Sequence, residues 1–150
     1  MTEQRDVEPV DVLLVEDNPG DVRLTREAFD EAKINNTLHV VHDGEDALDF
    51  LHQRNDHEDA PRPSLVLLDL NLPRVNGETV LEEIKTDPEL CRIPVVILTS
   101  SNAEEDIVRS YEGYSNAYLT KPIDPDEFIG LVQSFEEFWL TMVELPPRPE

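Results

Sequence analysis

The chain has 150 residues, enough for one domain with a buried core. It carries 34 acidic and 12 basic residues, a formal net charge of −22, which argues against direct binding to nucleic acid or to an anionic membrane. Because no apolar run approaches the ~20 residues of a membrane span, no leader opens the chain and Cys91 is the single cysteine, we expect a cytoplasmic protein.

The scarcity of lysine accompanies this acidity, since only three of the twelve cationic residues are lysine. An acidic, lysine-poor surface predicts a halophilic protein, in which concentrated salt screens the repulsion between carboxylates. The alternative is an acidic protein of ordinary environments.

If the protein is halophilic, lowering KCl from about 3 M to about 0.05 M is expected to lower the melting temperature, because repulsion between carboxylates then extends over much longer distances. A melting temperature that stayed constant over this range would remove the halophilic interpretation.

Apolar runs alternate with helical patterns along the chain, and together they predict five strands and five helices. The predicted strands are residues 12–15, 38–41, 65–68, 95–98 and 117–120. Strands that alternate with helices form a parallel sheet covered on both faces, so we predict a doubly wound α/β domain.

Each helical pattern places apolar residues three or four positions apart. In the first pattern Leu24 and Ala28 are one turn apart, and Asn35-Asn36 ends the helix. The fourth pattern, residues 103–111, begins with acidic residues, which suit a helix N-terminus. The other predicted helices begin near Asp43-Gly44, Gly77 and Pro125.

Four of the predicted strands end in residues with chemically useful side chains. Glu16 and Asp17 follow the first strand, Asp69 the third, Thr99 the fourth and Lys121 the fifth. The carboxyl ends of parallel strands share one edge of the sheet, where such folds bind ligands. Three carboxylates there would repel each other, and Mg²⁺ resolves that repulsion because it takes oxygen ligands. The set suits phosphoryl chemistry, although a single strand-end aspartate can also merely open a loop.

These residues resemble the receiver domain of two-component response regulators over roughly residues 9 to 140. The motifs are Glu16-Asp17, Asp69 with Asn71-Leu72-Pro73 and Gly77, Thr99-Ser100, and Tyr118 before Lys121-Pro122. The run from Glu16 to Thr25 and the ending Phe-Trp-Leu-Thr-Met-Val look like the stand-alone regulators that partner phytochrome-type histidine kinases. The resemblance implies a flavodoxin-like (βα)5 fold with strand order 2-1-3-4-5. We expect residues 1–8 to be flexible, 9–145 to form the receiver domain with an extended last helix, and 146–150 to be a tail.

The resemblance also implies roles for individual residues. Asp69 would accept a phosphoryl group from the phosphohistidine of a sensor histidine kinase. Mg²⁺ would bind to Asp17, Asp69 and the backbone carbonyl of Asn71, while Glu16, one methylene longer than the aspartate often found there, would act through water in the outer shell. Lys121 would pair with one phosphoryl oxygen.

Thr99 and Tyr118 would form the conformational switch of such a domain. Thr99 would donate its hydroxyl to a phosphoryl oxygen, and the ring of Tyr118 would turn inward as Thr99 moves. A half-buried strand tyrosine without a switching role is the alternative for Tyr118. Lys121-Pro122 matches the family's cis peptide pattern, which would aim the lysine from a tight turn.

Two other functions use a similar arrangement. A Mg²⁺-dependent phosphohydrolase of the haloacid dehalogenase type places a second acid two residues after its nucleophile, but that position is Asn71 here. A non-phosphorylated receiver-like adaptor commonly lacks Asp69 or Lys121, and both are present. We therefore expect a signalling phosphoacceptor that catalyses only its own phosphorylation and dephosphorylation, and not an enzyme with a separate substrate.

The end of the chain is more apolar than one face of a helix requires. After Phe135 come Phe138, Trp139, Leu140, Met142, Val143 and Leu145. A helix that is apolar on several sides needs a second partner, and two-fold pairing is the commonest solution. We expect a homodimer through this region and the neighbouring Tyr118 strand, with folding back onto its own domain as the alternative.

Overall fold

A computed structural model describes residues 10–32, 36–69, 72, 75–99, 117–121 and 124–133. Five strands in this part of the chain form one parallel sheet in the order β2-β1-β3-β4-β5. The predicted doubly wound α/β class and the strand order implied by the resemblance are both confirmed. The strands are β1 (Val10–Val15), β2 (Asn36–Val41), β3 (Leu65–Asp69), β4 (Val95–Thr99) and β5 (Ala117–Thr120).

Four helices are described beside the sheet. They are α1 (Pro19–Ala32), α2 (Gly44–His52), α3 (Gly77–Thr86) and α4 (Pro125–Gln133), with a short 3-10 turn at Asn55–His57. Side-chain caps begin all four of them: Asn18, Asp43, Asn76 and Asp124 each accept from a backbone N–H in the first turn of the helix that follows. The predicted helix at 103–111 and the extension beyond Gln133 lie outside the described residues. None of the described helices has the length and apolar character that a bilayer crossing requires.

The sheet separates two apolar clusters, as expected for strands buried on both faces. In β1, Leu13 and Val15 face one cluster and Val12 and Leu14 face the other, all with no exposed surface. In the second cluster, the rings of Phe29 of α1 and Phe128 of α4 pack at an angle of 35° with their centroids 4.6 Å apart. Because both faces of β1 and β3 are buried in this way, the sequences of these two strands are nearly continuous apolar runs.

The first helix forms as predicted, but two details at this helix differ from the sequence pattern. Leu24 is 44% exposed, and the buried position beside it is taken by Thr25, whose hydroxyl donates to the backbone carbonyl of Asp21 at 2.9 Å. Asn36 does not end the helix but begins β2, because it pairs in register with Val10 of β1. Both strands thus begin two residues earlier than their apolar runs, since pairing with a neighbour extends a strand into polar sequence.

Candidate functional site

The strand register brings the predicted acids to one edge of the sheet. Val15 of β1 pairs with Leu68 of β3, so Glu16 and Asp69 follow at equivalent positions on neighbouring strands. The backbone N–H of Glu16 donates to the carbonyl of Val41 at 3.0 Å, which continues the pairing with β2 past the end of β1. Glu16 and Asp69 are therefore held side by side by the sheet itself.

Lys121, directly after β5, reaches across to these acids. Its Nζ lies 3.0 Å from Oε1 of Glu16, 3.0 Å from Oδ2 of Asp69 and 3.0 Å from Oδ2 of Asp21. The side chain of Lys121 is 12% exposed, and those of Glu16 and Asp69 are 1% and 5% exposed. Since the groups are largely removed from water, their mutual attraction is much stronger than that of a surface ion pair.

This burial changes the acidity of two of the groups. Burial raises the pKa of Glu16 to about 7, and the neighbouring charge of Asp69 adds to this, although the hydrogen bond from Lys121 opposes it. Burial disfavours the ammonium of Lys121, but its hydrogen bonds to Glu16, Asp21 and Asp69 outweigh that effect and the pKa of Lys121 is raised. Lys121 is therefore a permanent cation, and Glu16 is a carboxylate whose ionised form still needs further positive charge.

A divalent metal would supply that charge, and the donor atoms here fit one. One carboxylate oxygen from each of Glu16, Asp17 and Asp69 lies within 4.8 Å of the others. Asp17 is exposed, so an ion bound here could keep water molecules as ligands. Hard oxygen donors with room for water are the combination that Mg²⁺ prefers. The sequence prediction that these three acids converge is confirmed by their geometry.

A second group of ligand-type side chains lies on α2 and at the end of α3. Nε2 of His52 is 3.2 Å from Oε2 of Glu83, and its Nδ1 is 3.9 Å from Oδ2 of Asp87. The two carboxylates approach opposite nitrogens of the imidazole, so the ring bridges them directly. One donor atom from each of these three side chains lies within 4.8 Å of the others, and their contacts link the two helices.

Other predicted site residues are located only by their backbone or lie outside the described residues. Thr99 ends β4 and pairs with Thr120, and Tyr118 pairs with Ile97. Thr99 is thus on the same edge of the sheet as Asp69. The side chains of Thr99 and Tyr118, and all of Asn71 and Pro122, lie outside the part of the chain that the structure describes, so their roles stay predictions.

Asp21 is the site residue that the sequence reasoning missed. It lies in the first turn of α1, where an acid is expected merely to complement the helix dipole. Its contact with Lys121, one hundred residues away in the chain, appears only in three dimensions. Its position four residues after the Glu16-Asp17 pair could have identified it. The loop after β1 is short, so the first turn of α1 lies near the same edge of the sheet as the two acids.

Comparison with known proteins agrees with this geometry. A family model described as the response regulator receiver domain matches residues 12–133. Response regulator Rcp1 of Synechocystis sp. is 47% identical over 138 residues, which cover 92% of this chain and 94% of Rcp1. A solved structure of Rcp1 in its Mn²⁺-bound form aligns with a TM-score of 0.71 at 47% identity, over 93% of this chain and 100% of that one.

Two further solved structures are regulators associated with phytochromes. Bacteriophytochrome response regulator RtBRR has a TM-score of 0.81 at 41% identity, over 93% of this chain and 85% of its own. The phosphorylated cyanobacterial phytochrome response regulator RcpA has a TM-score of 0.72 at 43% identity, over 93% of this chain and 99% of its own. The resemblance to regulators that work with phytochromes is confirmed. The chain belongs to the response regulator receiver family and is a signalling protein of two-component systems.

Proposed function

We propose that Asp69 is the phosphoacceptor of this receiver domain and takes its phosphoryl group from the phosphohistidine of a sensor histidine kinase. A carboxylate oxygen of Asp69 attacks phosphorus, the P–N bond breaks, and its electron pair remains on the imidazole nitrogen of the kinase. The observation that carries this proposal is the position of Asp69. It is buried at the edge of the sheet, with the Lys121 ammonium 3.0 Å from Oδ2.

The neighbouring acids are proposed to hold Mg²⁺. Asp17 and Asp69 would bind it directly together with the carbonyl of Asn71, and Glu16 would contact it through water. When bound, the ion would neutralise charge on the transferring phosphoryl group. The Mn²⁺ in the Rcp1 structure supports a divalent ion in this chain as well.

Lys121 and Thr99 are proposed to bind oxygens of the acyl phosphate, one as a point charge and the other as a hydroxyl donor. Movement of Thr99 would then draw the Tyr118 ring inward and change the adjoining surface. Such a change is the output that a partner protein reads. The likeness to RtBRR and RcpA supports a phytochrome-type kinase as the input.

The proposed domain spans residues 9–145 and pairs with a second copy through its C-terminal apolar segment. This follows from the apolar residues after Phe135. Light scattering in concentrated salt is expected to give a dimer for the full chain and a monomer for a chain ending at Gln133 that still melts cooperatively. A monomer for both, with and without phosphoryl donor, would exclude self-association.

Incubation with acetyl phosphate and Mg²⁺ is the experiment that tests the proposed function. The intact mass is expected to rise by one phosphoryl group, and a chelator is expected to prevent the rise, because the acids then lack their cation. Asp69→Asn is expected to gain no mass, because it lacks the nucleophilic carboxylate. Asp30→Asn, an exposed change on α1, is its matched control and should phosphorylate normally. An adaptor that had kept only the fold would gain no mass. A phosphohydrolase would instead turn over a phosphate monoester continuously.

A further inference from the structure

The ammonium of Lys121 is anchored by three carboxylates from three different elements. Glu16 follows β1, Asp69 ends β3, and Asp21 lies in the first turn of α1, each with an oxygen 3.0 Å from Nζ. An ammonium group has three N–H donors, so these contacts use all of them. If one acceptor changes, only the other two still fix the position of Nζ.

Metal binding and phosphoryl transfer would each change one of these three acceptors. Asp69 becomes an acyl phosphate, and its negative charge passes to the phosphoryl oxygens. Glu16 belongs to the group of carboxylates whose oxygens converge within 4.8 Å and would share a metal. Asp21 is not part of that group. Its bond to Lys121 is therefore the contact that can stay unchanged while the other two are rearranged.

The carboxylate of Asp21 is held by a well-fixed turn of helix. Oδ1 of Asn18 accepts from the backbone N–H groups of Gly20 at 2.8 Å and Asp21 at 3.1 Å, which caps the start of α1. The carbonyl of Asp21 accepts from the hydroxyl of Thr25, which is buried. The side chain of Asp21 is 29% exposed, so it meets the buried Lys121 from the solvent side of the site.

We propose that Asp21 is a positioning residue that keeps the Lys121 ammonium in place to receive the phosphoryl group. This inference rests on the proposed function, in which Lys121 binds a phosphoryl oxygen. Without Asp21, the flexible four-carbon stem of Lys121 would be fixed only by acceptors that change during the reaction. A misplaced ammonium stabilises the transition state less, and misplacement of about 1 Å can cost a large factor in rate.

The rate of phosphorylation by acetyl phosphate in excess Mg²⁺ tests this inference. Asp21→Ala is expected to be about tenfold slower than wild type. Asp21→Asn removes the same charge but keeps an acceptor oxygen of the same length, so it should stay within about threefold of wild type. Asp30→Ala on the same helix is the control for loss of a carboxylate. If Asp21→Ala is poorly folded, Asp21→Ser replaces it, because it keeps a polar side chain in this exposed turn while its hydroxyl is too short to reach Nζ.

A double-mutant cycle separates positioning from a structural effect. In a Lys121→Met background, Asp21→Ala should slow the reaction no further, since no ammonium remains to be positioned. A rate for Asp21→Ala equal to or above wild type would overturn the inference, and so would an undiminished effect in the Lys121→Met background. If wild type itself gains no phosphoryl group, the proposed function fails. If wild type reacts and Lys121→Met is slow but Asp21→Ala is not, the inference about Asp21 alone fails.

Discussion

Lys121→Met is expected to slow phosphoryl transfer to Asp69 about a hundredfold, the usual loss when one preorganised charge-stabilising donor is removed. Negative charge builds on the phosphoryl oxygens in the transition state, and methionine fills a similar volume without a donor or a charge. The measurement is the initial rate of mass gain with acetyl phosphate and saturating Mg²⁺. A rate within about twofold of wild type would mean that the ammonium is not part of the reacting site.

The same variant should be less stable than wild type when no metal is present. Removing one partner of a buried ion pair typically costs about 3 kcal/mol, because the remaining charges are left without compensation. Here Glu16, Asp21 and Asp69 would face one another without the cation between them. Mg²⁺ should recover most of the loss in melting temperature, since it binds the folded site and supplies positive charge.

Lys85→Met is the matched control for both effects. Lys85 is likewise only partly exposed, and burial lowers its pKa, but its Nζ donates to the backbone carbonyl of Ile93 at 2.9 Å. Its replacement should lower stability without slowing the phosphorylation of the folded protein and without a special response to Mg²⁺. Equal effects of the two substitutions on the rate would contradict the role given to Lys121.

Gly44→Ala is expected to lower the free energy of unfolding by about 3 kcal/mol, at the upper end of overpacking effects. A Cβ atom on Gly44 would overlap the backbone oxygen of Val75 and lie 2.6 Å from its carbonyl carbon. Backbone atoms cannot turn aside as the end of a side chain can, so α2 and the segment before α3 must separate. Val75 packs against the apolar cluster and precedes Asn76, the cap of α3, so the disturbance should spread to both.

Gly130→Ala provides the opposite case within the same protein. Gly130 is exposed in the middle of α4, and an added Cβ there meets nothing within 4 Å. Alanine is the better helix former, so this variant should be about 0.5 to 1 kcal/mol more stable than wild type. Urea denaturation of both variants measures the two effects. If Gly44→Ala were as stable as wild type, the close contact between Gly44 and Val75 would not exist in solution.

The strands could be located from the sequence because they are almost completely buried. Residues 65–68 have no exposed surface on either face, so their apolar run is unbroken and needs no periodicity to be recognised. The starts of β1 and β2 were missed because Val10 and Asn36 are extended only by pairing with each other. The order of the strands came from the family resemblance, since an apolar run carries no record of which neighbour it pairs with.

The site residues could be predicted where a reactive side chain lies at the end of a strand. Asp69 and Lys121 stand directly at or after apolar runs, and parallel register brings such ends together. Asp21 was missed because an acid in the first turn of a helix is already explained by the helix dipole. Its presence there therefore did not indicate a role in the site. Likewise, the bridge from His52 to Glu83 and Asp87 joins separate helices whose packing no local pattern encodes.

Chemical mapping of the acyl phosphate tests the assignment of Asp69 most directly. Borohydride reduces an acyl phosphate and converts the aspartate that carried it to homoserine, which peptide mass spectrometry locates. Protein treated with acetyl phosphate and Mg²⁺ is expected to show this conversion at Asp69 and nowhere else, and chelated protein is expected to show none. Conversion at Asp17 or at any other acid, or a phosphorylated protein with Asp69 unchanged, would contradict the assignment.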